Sequence, residues 1–119
     1  MTTDGIATLD DQRMYDRFSA QYPAKFKDTR EDFGDSVYLK NASAEGIQII
    51  TKERLYIHDT VAIEVKLPDN YAPMPLRGEV IWVKQTDPNY WEYGIKFHKI
   101  ELVRLSRLYK FVADLLPVS

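Results

Sequence analysis

Two groups of residues have types and spacings that could do chemistry. Arg13 and Arg17 stand four apart in RMYDR, and Asn41, Ser43 and Gly46 stand at steps of two and three in NASAEG. A guanidinium is a planar fork of donors that fits the oxygens of a phosphate, and equally O6 and N7 of guanine. It also stacks on a purine face, which lysine does poorly. An amide supplies an acceptor for N–H groups, a hydroxyl bonds locally, and glycine lets a backbone come close. This is chemistry of binding rather than of bond breaking. Simpler readings stay open for both groups. The arginines can pair with Asp11 or Asp16, and Asn-Ser-Gly can be a turn in which glycine supplies a positive φ. The second pattern alone arises by chance in roughly one chain in twenty of this length, so it carries weight only beside the arginines.

Other chemistries find little support. His58 and His98 are the only histidines, and neither stands at ligand spacing with Asp or Glu, so no metal site is expected. With no cysteine there is no disulfide, thiolate site or thiol nucleophile. No G-x-S-x-G and no glycine-rich phosphate loop occurs. Glu31–Asp32 lies in a charged, solvated loop. No enzyme and no cofactor are expected. Trp82, Tyr90, Trp91 and Tyr93 could stack bases, as in oligonucleotide-binding barrels, but cross-strand packing explains them more simply. A net charge of −2 lacks the basic excess of a nucleic-acid binder. The N-terminus has neither the basic start nor the apolar run of a signal peptide, and no stretch is apolar enough to span a bilayer. A soluble cytoplasmic protein without membrane insertion is the expectation.

The elements that must position these residues follow from periodicity. The 119 residues suit one core. Residues 1–12 are polar and acidic and read as a flexible arm, and residues 13–116 as the domain. Tyr22, Ala24 and Phe26 alternate in a strand near 20–27, with Pro23 at an edge or start. A charged loop at 28–35 follows. Val37 and Leu39, then Ile47 and Ile49, mark two more strands. TVAIEVKLP is the clearest strand, with Val61, Ile63, Val65 and Leu67 on one face. A proline-rich loop at 68–75 leads to LRGEVIWVK and YWEYGIKF, joined by the turn sequence TDPN. Leu105, Leu108, Val112 and Leu115 recur at three and four, as in an amphipathic helix stopped by Pro117, with Arg104, Arg107 and Lys110 on its solvated face. Short successive strands with tight turns predict an antiparallel barrel or sandwich, its end or face covered by the helix.

The chain resembles a PilZ domain, the bacterial receptor module for cyclic di-GMP. That family carries R-x-x-x-R before its first strand and [DN]-x-S-x-x-G between its second and third. Arg13 to Arg17 and Asn41 to Gly46 fill both patterns in order. GEVIWV at 78–83, YGIKF at 93–97 and a terminal helix are also typical, so the resemblance covers about residues 10–116. It implies a mainly β fold, a six-stranded antiparallel barrel with a C-terminal α-helix. It also implies a non-catalytic receptor that binds cyclic di-GMP and relays it to a partner protein. Arg13 and Arg17 would close over the ligand as a basic lid, and Asn41, Ser43 and Gly46 would form a polar floor. Gln12 occupies a position that in the family influences whether one dinucleotide or a stacked pair binds. An arginine there favours the pair and a bulky apolar residue favours one; glutamine leaves the stoichiometry open. The alternatives are a PilZ-like interaction module that binds no nucleotide, and a nucleic-acid-binding barrel.

Overall fold

Val61, Ile63 and Val65 alternate with Ala62 and Glu64, and the pleat's period of two sends the first three into a core. The structure, a computed structural model, describes residues 18–69, 71–98, 106 and 107. Within it six strands form: β1 (Phe18–Phe26), β2 (Val37–Ala42), β3 (Gly46–Thr51), β4 (Thr60–Val65), β5 (Met74–Asp87) and β6 (Tyr90–Phe97). Every pairing is antiparallel, and the order β1-β2-β3-β6-β5-β4 returns to β1 through Ala24, Lys25 and Phe26 against Val65, Glu64 and Ile63. The sheet therefore closes on itself and leaves no free edge.

The interior is filled by Val37, Leu39, Ile47, Ile49, Ile63, Val65, Met74, Val80, Tyr93 and Ile95, all essentially buried. Each full burial of such an aliphatic side chain is worth about 1.5–3 kcal/mol. Tyr93 needs a polar outlet as well. Its hydroxyl donates to the Glu53 carbonyl at 3.0 Å and accepts from the Leu55 N–H at 2.7 Å. Packing is thus the role of Tyr93, while Trp91 is half-buried against the core and Tyr90 is exposed.

The β5–β6 turn is tighter than TDPN suggests. Only Pro88 and Asn89 lie outside the strands, and the Asn89 N–H donates to Asp87 Oδ1 at 2.8 Å. The expected loop at 68–75 is cut short because β5 already begins at Met74.

The expected C-terminal helix lies outside the described residues, except that Ser106 and Arg107 have helical backbone. Arg107 is not a solvated surface residue. Its guanidinium donates through Nε and one terminal nitrogen to both oxygens of Asp69, at 2.9 and 2.8 Å, and to the Ala72 carbonyl at 3.0 Å. It also lies over the Tyr71 ring. The fork fits the carboxylate, and the loop between β4 and β5 supplies both. Helical periodicity alone could not show that loop.

Candidate functional site

The turn between β2 and β3 is assembled by the residues of NASAEG. The Ser43 N–H donates to the Gly46 carbonyl at 2.8 Å, and Ser43 Oγ accepts from the Glu45 N–H at 3.3 Å. The turn is tied to β6 where the Phe97 N–H donates to the Glu45 carbonyl at 3.0 Å. Ala44 and Ser43 are buried. Gly46 is ordinary extended strand, and the positive-φ glycine is Gly34 instead. What Gly46 provides is close approach, because it runs against the β6 backbone at Ile95 and Lys96.

Asn41 owes its position to an irregularity in β2. Strict alternation from Val37 and Leu39 would send Asn41 into the core and Ala42 outward. Against β3, however, Leu39 pairs with Ile49 and Asn41 with Gln48, so Lys40 is an extra residue. This β-bulge shifts the pleat by one. Lys40 and Asn41 both become half-exposed, and Ala42 is fully buried.

A second bulge does the same in β5. Val80 pairs with Ile95 and Trp82 with Gly94, leaving Ile81 extra and exposed. The indole of Trp82 then lies directly over Gly94, where any Cβ would collide with Nε1. One row of the sheet thus runs Ser19, Asn41, Gln48, Gly94 and Trp82 across β1, β2, β3, β6 and β5. Asn41 Nδ2 donates to Gln48 Oε1 at 2.8 Å. Beside this row Lys40 Nζ donates to Glu92 Oε1 at 2.6 Å, which keeps a largely buried carboxylate paired. A shallow groove of about 280 Å³ flanks the bulge, lined by Gln21, Tyr38, Leu39, Lys40 and Ile50.

The structure brings Asn41, Ser43 and Gly46 to one corner, in two different settings. Asn41 stands outside on the row, whereas Ser43 and Gly46 are buried in the turn that holds it. Gln12, Arg13 and Arg17 lie outside the described residues. Gln48 and Trp82 escape sequence reasoning as members of the row, because their places depend on register and on bulges. The signal that existed was Gly94 opposite a tryptophan strand: a glycine inside a strand marks a close approach. Among the described residues no cluster of His, Asp or Glu could hold a metal, and no helix is long and apolar enough to cross a membrane.

The PilZ domain family model matches residues 11–114, nearly the whole chain. The chain belongs to the PilZ domain family. Among solved structures this PilZ domain is similar to one titled Bacillus subtilis Inhibitor of motility (MotI/DgrA). The TM-score is 0.62 at 15% identity, over 87% of this chain and 50% of that one. That likeness supports the fold, and the chain spans half the length of that structure. No curated protein matches the PilZ domain described here.

Proposed function

We propose that the protein is a non-catalytic receptor for cyclic di-GMP, which relays ligand occupancy to a partner protein. The observation that carries the reading is Asn41. A bulge turns it out of the core, and a turn built from Ser43 and Gly46 holds it there, inside a match to a family of cyclic di-GMP receptors. In this reading Arg13 and Arg17 take the ligand's phosphates and guanine faces, Gln12 lies beside them, and Asn41 accepts from guanine N–H groups. Ser43 and Gly46 act mainly by shaping the corner. The reading includes a cytoplasmic location, which a chain without cysteine fits. PilZ domains are generally receptor modules without catalysis, and no step of bond breaking is assigned.

Calorimetric titration with cyclic di-GMP tests the proposal and gives the stoichiometry. Saturable binding to the wild type, weakened about ten- to a hundred-fold by Arg17→Ala without unfolding, is the expected result. No binding by a folded wild type would leave the interaction-module reading in its place.

A further inference from the structure

Two outward rows lie side by side where β3 meets β6. The first is the row of Asn41, Gln48 and Gly94. Two residues along each strand, and so on the same face, Gly46 pairs with Lys96, Lys96 with Glu79 and Glu79 with Thr60. Ile95 and Phe97 point into the core on either side of Lys96, which is exposed. Cα atoms directly opposite across such a ladder are about 4.5–5.5 Å apart. Because Gly46 has no side chain, the lysine stem meets none as it crosses that position toward the corner of the motif. Its charge is not taken up. Glu79 faces Lys96 across the ladder but turns to His58, with Oε2 2.6 Å from Nδ1. Among the described residues no carboxylate lies within ion-pair distance of the Lys96 ammonium. Lys40, the lysine beside Asn41, differs in being bound to Glu92.

The barrel side of the corner thus carries two carboxylates, Glu45 next to Gly46 and Glu79 across from Lys96, around one ammonium. A cyclic dinucleotide lying on the row of Asn41 brings two phosphates, which those carboxylates repel. We infer that Lys96 binds a phosphate of the ligand, as a cation fixed to the barrel that complements the two arginines preceding β1. An ammonium suits the task. It is a compact charge with three donors on a flexible stem, and a phosphate approached from one side needs no planar fork. The inference rests on the receptor reading above and adds a binding residue from β6, outside both sequence motifs. The simpler role for Lys96 is to offset Glu45 and Glu79, and that role involves no contact with ligand.

Titration of the full chain with cyclic di-GMP at low and high salt separates the two. Lys96→Ala should lower the affinity about tenfold or more at low salt, as loss of a charged hydrogen bond does. The salt dependence should flatten as well, because one phosphate contact fewer is left to screen. Lys96→Met keeps the length of the stem without the charge and should show the same loss, whereas Lys96→Arg should bind close to wild type. Lys27→Ala is the control. It removes the same charge just beyond Phe26, at the end of β1 opposite to the one that pairs with Asn41 and Ala42, and should leave affinity and salt dependence unchanged. Thermal melts show that each variant is folded. If the wild type binds and Lys96→Ala and Lys96→Met behave like Lys27→Ala, Lys96 only balances its neighbours, and the receptor proposal stands without it. If the folded wild type binds no cyclic di-GMP, the receptor proposal itself fails and this inference falls with it.

Discussion

A Cβ on Gly46 would lie 2.0 Å from the carbonyl oxygen of Ile95, across the β3–β6 ladder. That distance is well inside contact, and the atom it meets is backbone, which cannot swing away. The glycine of the motif is therefore required by the barrel itself. Gly46→Ala gains about 0.5–1 kcal/mol from the lower flexibility of alanine in the unfolded chain. The collision outweighs this, and a net loss of about 2–3 kcal/mol is expected. Thermal unfolding checks the sum. Amide exchange should speed up first in Gly46–Thr51 and Tyr90–Phe97. A variant as stable as wild type would show that the strands part at no cost.

Arg13→Ala and Arg17→Ala should each weaken cyclic di-GMP binding by about 1.5–3 kcal/mol, as loss of a charged hydrogen bond does. That is roughly ten- to a hundred-fold in affinity. The barrel closes without either residue, so the unfolding midpoint should stay put. Lysine at either position should restore binding only in part, because it lacks the planar fork. Titration alongside thermal melts separates the two effects.

In the proposed complex Arg13 and Arg17 meet the ligand's phosphates, so binding should weaken as salt is raised. Titrations at low and high ionic strength measure this. An affinity flat across that range would point to stacking as the main attraction.

Arg107 should couple stability to acid pH. Its guanidinium, hydrogen-bonded to Asp69, holds that carboxyl below the usual carboxylate range. A carboxyl with a lowered folded-state pKa stabilises fully above its unfolded value of about 4. That contribution fades as pH falls through the lower, folded value. Arg107→Leu should therefore reduce stability at neutral pH, and the difference from wild type should shrink in strong acid. Thermal melts at pH 7 and pH 2.5 give the comparison. An equal difference at both would mean that packing over Tyr71, and not charge, is what Arg107 supplies.

Removing Lys40 should be felt in the barrel wall. Lys40→Met leaves Glu92, a largely buried carboxylate, without its ammonium partner. Lys40 itself is substantially solvated, so the cost is discounted to about 1–2 kcal/mol. Lys40→Met with Glu92→Leu should recover most of it. Denaturant unfolding of the single and double variants reads the coupling.

Much of the barrel was legible because β4 and β6 obey one rule without interruption. Val61, Ile63 and Val65, like Tyr93, Ile95 and Phe97, alternate cleanly and point inward together. The legible part of the site was its composition: Asn41, Ser43 and Gly46 are marked by type and spacing. Their division of labour was not. Whether Asn41 faces outward depends on one unpaired residue in β2, and no local preference of Lys40 announces it. Gly46 reads as a turn glycine until β6 is laid against it. Arg107 reads as surface until a loop far away in sequence, holding Asp69, folds beneath it.

The bulge at Lys40 also fixes what a change of chain length would do to the corner. Replace Lys40 with almost any residue and the surplus position survives. Delete it, and Asn41 follows Leu39 directly, so plain alternation already sends Asn41 outward and Ala42 into the core. The motif would keep both its letters and its facing, and the barrel would lose the ammonium beside Glu92. A three-nucleotide deletion at this codon should therefore keep the amide of Asn41 on the outside while removing the partner of Glu92.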